Sequence, residues 1–154
     1  MQPQKTVLLP AEHPVPKILV IDDDPQITKA LMIRLGALGL EVIRSLNAKV
    51  GARLAKTECP DLIITDQNMP EMSGEYLIVK LKGEEETKDI PVIVITGQSV
   101  DGQEDLSLKR EMLGRRGAVA YLTKPVDFDA LLDVLNKHIR MPLPHSCDPV
   151  SSAR

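Results

Sequence analysis

The chain has 154 residues, of which 43% are hydrophobic, 27% are charged and 2% are aromatic, and its formal net charge is −3. These values favour one domain with an aliphatic core. The mild acidity argues against nucleic-acid binding, which needs a basic surface. No apolar run reaches the roughly 18 residues of a membrane span, and no secretory signal is apparent. We therefore expect a cytoplasmic protein that binds no membrane, with Cys59 and Cys147 as reduced thiols.

Prolines are concentrated at both ends of the chain. Seven of the twelve lie within residues 1–16 and 141–154. We predict irregular tails over these two ranges, and the second is equally compatible with the start of a linker. The folded domain is expected to span residues 17–140.

Strand and helix patterns alternate through this domain. All strands but the second are apolar almost throughout, which is typical of strands buried on both faces of a parallel sheet. The predicted strands lie near residues 17–21, 41–44, 61–65, 91–95 and 118–122. The predicted helices cover about residues 25–38, 47–56 and 74–82, a stretch within 102–114, and a last segment from Asp127 onward. This order predicts a doubly wound α/β sandwich in which all strands end at one edge of the sheet.

Local signals indicate where the helices begin and end. Pro25 suits a first helical turn, where its missing N–H would be unpaired in any case. Gly39 and Gly83 follow the expected ends of the first and third helices. Asp127 is a good N-cap for the last helix.

Polar residues follow four of the predicted strands. Asp22 and Asp23 follow the first strand, Asp66 the third, Thr96 the fourth and Lys124 the fifth. If the first and third strands are neighbours, three carboxylates converge, and their repulsion favours a bound cation. Mg²⁺ fits best because it accepts carboxylate oxygens, waters and phosphate oxygens. The sequence therefore predicts a magnesium site at this edge, to which the backbone carbonyl of Asn68 would contribute.

The same edge has the groups that phosphoryl transfer requires. Lys124 supplies a compact positive charge for one phosphate oxygen, and Thr96 supplies a hydroxyl donor for another. An ionised Asp66 is already a competent nucleophile and needs no general base. Each residue alone has an ordinary structural explanation, but together they predict an aspartyl phosphate on Asp66.

These residues closely resemble the receiver domain of two-component response regulators, and the resemblance covers residues 17–140. Residues 21–25 resemble the family's acidic pair, and residues 66–70 resemble its phosphorylation-site turn. Thr96 resembles the switch hydroxyl, and Tyr121 the aromatic switch residue. Lys124 with Pro125 resembles the family's lysine and its typically cis proline. The resemblance implies a flavodoxin-like fold with helices on both faces of a five-stranded parallel sheet in the order 2-1-3-4-5.

The resemblance also implies a mechanism. Asp66 accepts a phosphoryl group from a sensor histidine kinase or a histidine phosphotransfer protein. Asp23, Asp66 and the Asn68 carbonyl bind Mg²⁺, with Asp22 assisting through water. Lys124 and Thr96 hold the phosphate. Such a protein is a signalling switch that catalyses only its own phosphorylation and dephosphorylation.

The switch itself is implied by the same resemblance. Thr96 moves towards the phosphate and Tyr121 turns inward. The face made by the fourth helix, the fifth strand and the last helix then changes shape and controls an output protein, as a shift between two existing states. A homodimer on activation is possible, and the chain is either a stand-alone receiver or a receiver from a longer protein.

One departure from the family pattern lies between Thr96 and Lys124. These residues are 28 positions apart, which is longer than usual, and the excess falls within residues 98–116. A neutral loop insertion and a modified output face that helps choose the partner are both compatible with it. Gln98 and Asn68 correspond to positions that tune phosphate lifetime, and two amides there predict a moderate lifetime.

Two other functions are compatible with parts of the pattern. A Mg²⁺-dependent phosphohydrolase of the haloacid-dehalogenase type would use Asp22 as its nucleophile together with Asp24, but it leaves Asp66 unexplained. A receiver fold used as a binding module without phosphorylation usually lacks part of the acidic set, which is complete here. We therefore favour the phospho-accepting receiver.

Overall fold

The structure is a computed structural model that describes residues 15–97 and 117–142. The strands are β1 (Lys17–Ile21), β2 (Glu41–Ser45), β3 (Leu62–Asp66), β4 (Val92–Thr96) and β5 (Ala118–Thr123). The helices are α1 (Pro25–Gly36), α2 (Ala48–Glu58), α3 (Gly74–Lys82) and α4 (Phe128–His138). The helix predicted within 102–114, Gln98 and most of both tails lie outside the described residues. None of the described helices has the length and hydropathy needed to cross a bilayer.

The five strands are parallel and lie in the order β2-β1-β3-β4-β5. The predicted flavodoxin-like, doubly wound fold is therefore confirmed. Successive side chains of a strand point to opposite faces, so each strand contributes to two cores. Leu19 and Ile21 of β1 pack with α2 and α3, whereas Ile18 and Val20 pack with α1 and α4.

The helix ends follow the local signals in the sequence. The Asp127 carboxylate accepts hydrogen bonds from the N–H groups of Asp129 and Ala130, so it caps α4 as predicted. Gly83 caps α3, and Pro25 lies in the first turn of α1. Helix α1 ends at Gly36 rather than at residue 38. The chain tightens there into i to i−3 hydrogen bonds before it turns at Gly39, where φ is +86°.

The strand β5 is confirmed, but the prediction that it is buried on both faces was wrong. Its apolar sequence indicated burial on both faces, but β5 is an edge strand and is only partly buried. The register between β4 and β5 shifts near the start of the ladder, where Val92 pairs with Ala118 and Ile93 with Ala120. Val119 is the extra residue of this bulge, and 39% of its surface is exposed.

Strands β3 and β4 begin and end one residue later than predicted. Pro91 has no N–H to donate, so the β4 strand begins at Val92. The ladder also continues beyond the apolar run, because the Gln67 N–H donates to the Ile95 carbonyl at 2.9 Å. Asp66 is therefore the last residue of β3 rather than the first residue of a turn, and its backbone is held by the sheet.

Candidate functional site

Three carboxylates meet at the carboxyl edge of the sheet. Asp22 and Asp23 follow β1 and Asp66 ends β3, and these two strands are direct neighbours. One carboxylate oxygen of each residue lies within 4.8 Å of the others. Asp22 and Asp66 are buried, and Asp23 is exposed. The structure thus brings together the three carboxylates that the sequence predicted would converge.

The Asp22 side chain is held by one of its oxygens. Its Oδ1 accepts a hydrogen bond from the Asp24 N–H at 2.9 Å, and the Asp22 N–H donates to the Ser45 carbonyl at 3.1 Å. Its Oδ2 is buried and forms an ion pair with Lys124 Nζ at 3.1 Å, and this oxygen has no hydrogen bond within the described residues. A buried carboxylate oxygen without a hydrogen bond needs a partner. The donor set and this oxygen both fit a hard cation.

Lys124 places its ammonium between two of the carboxylates. Its Nζ lies 3.1 Å from Asp22 Oδ2 and 3.4 Å from Asp66 Oδ1. Burial alone would lower the pKa of Lys124, but its contacts with Asp22 and Asp66 outweigh burial and raise the pKa above 10.5. The lysine is therefore charged at neutral pH. The peptide bond between Lys124 and Pro125 is cis, as the family resemblance implies.

The carboxylates nevertheless outnumber the ammonium group in this cluster. Burial raises the pKa of Asp22 above 3.8, and the negative charge of Asp66 raises it further. The Asp24 N–H and Lys124 act in the opposite direction without cancelling the effect of burial on this pKa. The cluster has three carboxylates and one ammonium group, so its excess of negative charge favours binding of a further cation.

The backbone at Asp66 is held by a close contact that the sequence analysis missed. The Gly74 N–H donates to the Gln67 carbonyl at 2.8 Å. A Cβ at Gly74 would lie 2.5 Å from the Asp66 carbonyl oxygen, so only glycine lets α3 approach this closely. The sequence predicts Gly74 only as the start of a helix. Because most residues fit the first turn of a helix, a glycine at this position was the one sign in the sequence that another part of the backbone comes close.

Of the other predicted site residues, Thr96 lies at the same edge as this cluster, whereas Tyr121 lies within β5 and Asn68 lies in the loop after β3. Thr96 ends β4 with 8% of its surface exposed, and its carbonyl accepts the Lys124 N–H at 2.8 Å, so both belong to the same edge. Tyr121 lies further down β5, opposite Val94, and packs against the core formed with α2 and α3. Asn68 is exposed in the loop after β3.

Asp24 does not join the cluster. Its Oδ1 accepts the Gln26 N–H at 2.9 Å and caps α1. A carboxylate committed to a helix cap is a poor partner for Asp22 in a phosphohydrolase mechanism. The geometry therefore gives no support to the pairing of Asp22 and Asp24 that the phosphohydrolase interpretation requires.

Comparison with known sequences decides the family. The response regulator receiver domain matches residues 18–136, which is more than half of the chain. The chain belongs to the response regulator receiver family. It is thus a phospho-accepting receiver of two-component signal transduction, a class of signalling switch. Receivers of this family take phosphoryl groups from histidine kinases or phosphotransfer proteins and act on output partners.

Individual relatives agree with this assignment. Protein PilH of Pseudomonas aeruginosa is 35% identical over 120 residues, which are 78% of this receiver and 94% of PilH. The DNA-binding dual master transcriptional regulator RpaA of Synechocystis is 36% identical over 120 residues, 77% of this receiver but only 46% of RpaA. The polar-differentiation response regulator DivK of Brucella anthropi is 29% identical over 122 residues, 79% of this receiver and 94% of DivK.

Solved structures show the same fold. A receiver domain protein from Clostridium thermocellum matches with a TM-score of 0.69 and 32% identity, over 81% of this chain and 94% of that one. The chemotaxis response regulator CheY4 of Vibrio cholerae matches with a TM-score of 0.71 and 25% identity, over 81% and 99%. The described residues therefore share the fold of solved receiver domains, and their three clustered carboxylates have the spacing of a metal site.

Proposed function

We propose that Asp66 is the phospho-acceptor of this receiver. The observation that carries the proposal is the position of Lys124 Nζ, 3.4 Å from Asp66 Oδ1 and 3.1 Å from Asp22 Oδ2, at the edge where the acidic cluster lies. Asp66 ends a buried central strand, so its carboxylate is held in a defined place with a cation beside it. Such an arrangement supplies positioning and charge neutralisation, which are the main requirements of phosphoryl transfer.

The metal of the proposed site is Mg²⁺. Asp23, Asp66 and the Asn68 carbonyl would be its protein ligands, and Asp22 would assist through water. The clustered carboxylates and the Asp22 oxygen without a hydrogen bond support this choice, because hard oxygen donors suit Mg²⁺. When bound, the ion neutralises charge on the phosphoryl oxygens.

The proposed reaction uses few groups of the protein. A carboxylate oxygen of Asp66 attacks the phosphorus of a phosphohistidine, the P–O bond forms, and the P–N bond to the donor histidine breaks. Lys124 pairs with one phosphoryl oxygen, and the Thr96 hydroxyl donates to another. Hydrolysis of the aspartyl phosphate is the other reaction that the protein promotes on itself: water attacks the phosphorus, the P–O bond to Asp66 breaks, and inorganic phosphate leaves.

The proposed partners follow from the family. The phosphate donor is a sensor histidine kinase or a histidine phosphotransfer protein, and the output partner is another protein, with no nucleic acid or membrane bound by this chain. Thr96 and Tyr121 transmit the change to the face that includes β5 and α4, and homodimerisation on activation is one form of the response. We place the domain at residues 17–140 and the protein in the cytoplasm.

Intact mass spectrometry after incubation with acetyl phosphate and Mg²⁺ tests the assignment. We expect one phosphoryl group on the wild type and none on Asp66→Asn. Asp61→Asn is a matched control, because Asp61 accepts the Lys17 N–H at the opposite edge of the sheet, and it should keep the adduct. An adduct retained in Asp66→Asn would assign the nucleophile to another carboxylate.

Phosphate release from acetyl phosphate resolves the remaining case. If the wild type shows no adduct but releases phosphate in an Asp66-dependent way, the aspartyl phosphate is short-lived and the proposal stands. If neither adduct nor release is seen, Asp66 does not take a phosphoryl group from acetyl phosphate and the proposal fails.

A further inference from the structure

A partly exposed hydrogen-bond network joins β2 to the first turn of α1. Arg44 Nε donates to Thr28 Oγ1 at 3.0 Å, and Arg44 Nη2 donates to the Pro25 carbonyl at 3.1 Å. Thr28 Oγ1 in turn donates to the same Pro25 carbonyl at 3.1 Å. Thr28 is completely buried, so its hydroxyl needs these partners. One guanidinium thus holds the start of α1 at two points.

Hydrogen bonds connect the start of α1 to residues 22–24, the acidic loop that follows β1. The Thr28 N–H donates to the Asp24 carbonyl at 3.3 Å, and the Gln26 N–H donates to the Asp24 carboxylate at 2.9 Å. The Asp24 N–H then donates to Asp22 Oδ1 at 2.9 Å. A displacement of the first turn of α1 would therefore move Asp24 and change the orientation of the Asp22 carboxylate.

The end of β2 also holds the other side of this loop. Arg44 pairs with Val20 in the ladder between β1 and β2, and the next residue, Ser45, accepts the Asp22 N–H at 3.1 Å. The loop is consequently fixed before Asp22 by the sheet and after Asp24 by the Arg44 side chain. Removal of the side chain leaves α1 packed on β1 but takes away the hydrogen bonds that tie its first turn to β2.

The effect of Arg44 on the site is one of position rather than of charge. The pKa of Asp22 is raised by burial first, and the groups that oppose this rise are the Asp24 N–H and Lys124. Arg44 is not among the groups that shift this pKa. Its contacts go to backbone and hydroxyl oxygens of α1, so its loss should alter geometry before it alters the field at the carboxylates.

We propose that Arg44 is a positioning residue for the metal site, because it fixes the first turn of α1 and thereby the orientation of the Asp22 carboxylate. The inference rests on the proposed function of the site as a Mg²⁺ centre. Groups that orient metal ligands raise affinity because the ligands need no further ordering when the ion binds. Loss of Arg44 should weaken Mg²⁺ binding while Asp66 remains in place.

Four variants test the inference: Arg44→Met, Thr28→Val, their combination, and Lys17→Met as a control. Methionine keeps an unbranched apolar stem but no donors. Lys17 is a matched control, since it also makes two side-chain hydrogen bonds, to the Glu58 carbonyl and carboxylate, at the opposite edge of the sheet. Isothermal titration calorimetry gives the Mg²⁺ dissociation constant, and hydrogen exchange of the Asp24 amide in metal-free protein reports on the loop itself.

Arg44→Met should raise the Mg²⁺ dissociation constant about threefold to tenfold, less than direct loss of a group that touches a metal ligand. The Asp24 amide should exchange at least about fivefold faster, since its hydrogen bond to Asp22 opens more often. Thr28→Val should raise the dissociation constant by a similar factor. The dissociation constant of the double variant should not exceed the higher of the two single-variant values, because both residues belong to one network. Phosphorylation by acetyl phosphate should recover at saturating Mg²⁺.

Several results would overturn the inference without touching the assignment of Asp66. These are a wild-type dissociation constant in Arg44→Met, an equal change in Lys17→Met, fully additive losses in the double variant, or a phosphorylation rate that stays low at saturating Mg²⁺. If Arg44→Met does not fold, Arg44→Gln keeps one donor and should show the same changes at smaller size. Absence of Mg²⁺ binding by the wild type would instead reject the proposed metal centre, and the inference with it.

Discussion

Charged groups have different partners at the two ends of the parallel strands, which we call the amino edge (where the strands begin) and the carboxyl edge (where they end). At the amino edge, Lys17 pairs with Glu58 at 3.3 Å. Near the same edge, Lys82 donates to two backbone carbonyls, at 2.9 and 2.7 Å. At the carboxyl edge, Lys124 faces the carboxylates of Asp22 and Asp66. The amino edge is thus arranged for stability, whereas the carboxyl edge keeps unbalanced negative charge that a bound cation and a phosphoryl group can use.

The same contrast appears in the glycines. Gly117 at the start of β5 has a φ of +103° and lies against the stem of Lys82, a flexible side chain. Gly74 lies against the rigid backbone at Asp66. A methyl group at Gly117 would meet a side chain that can move, whereas one at Gly74 would meet backbone that cannot. We therefore expect the larger loss of stability from the clash at Gly74.

Gly74→Ala should have the largest effect on stability. The new Cβ would lie 2.5 Å from the Asp66 carbonyl oxygen, so β3 and α3 must separate. We expect a loss of about 2 to 3 kcal/mol in the free energy of unfolding, the usual cost of overpacking, measured by urea denaturation. Phosphorylation should fall as well, because Asp66 moves.

Gly36→Ala is the control for this variant. Nothing lies within 4 Å of a Cβ at Gly36, at the end of α1, so alanine should be neutral or stabilising by up to about 1 kcal/mol. Similar losses in both variants would show that the close contact at Gly74 is not what limits this position.

Asp22→Asn should stabilise the metal-free protein at neutral pH. The pKa of Asp22 is raised, so the folded state binds its proton more tightly than the unfolded state does. Stability is then lost as pH rises from 3.8 through the raised pKa, and the cost persists above it. Asparagine removes this cost and can still accept the Asp24 N–H, so we expect a gain of about 1 kcal/mol at pH 7.

Denaturation curves across this pH range check the sign. The variant and the wild type should converge below pH 3.8 and diverge above it. Added Mg²⁺ should reverse the order at neutral pH, since only a folded protein that binds the ion gains from it. A variant that is less stable than wild type at pH 7 without metal would mean that the contact with Lys124 outweighs burial.

Glu71→Gly should have a smaller effect, in the loop that follows Asp66. Glu71 has a φ of +71°, a conformation that costs a residue with a side chain but not glycine. We expect a gain of about 0.5 kcal/mol from glycine, measured by thermal unfolding. Glu71→Gln keeps the conformation and removes only an exposed ion pair with Lys49 at 3.7 Å, so it should change little.

Lys17→Met should have the smallest effect and represents the amino edge. The ion pair with Glu58 is partly exposed, and such pairs contribute about 0 to 1 kcal/mol. We expect a loss below about 0.5 kcal/mol and an unchanged yield of phosphorylated protein. A loss of phosphorylation here would contradict the separation of the two edges.

Local features of the sequence predicted much of this receiver. The sequence pattern predicted all five strands within one residue at each end, and Asp127 and Pro25 marked helix starts, because caps and strand patterns depend on neighbours in the chain. The residues of the acidic cluster were also predicted, since strand ends of a parallel sheet share one edge. The roles of Asp66, Thr96, Lys124 and Tyr121 remain predictions.

The tertiary structure decided what depends on contacts between distant segments. The exposure of β5 follows from its place at the sheet edge, and an apolar sequence does not report that place. Asp22 and Asp24 look alike in the sequence, yet one enters the cluster and the other caps α1. Gly74 and Arg44 matter through atoms of Asp66 and Pro25 that only the fold brings near them. Residue type and spacing determine which groups reach an edge, whereas packing determines which of them touch.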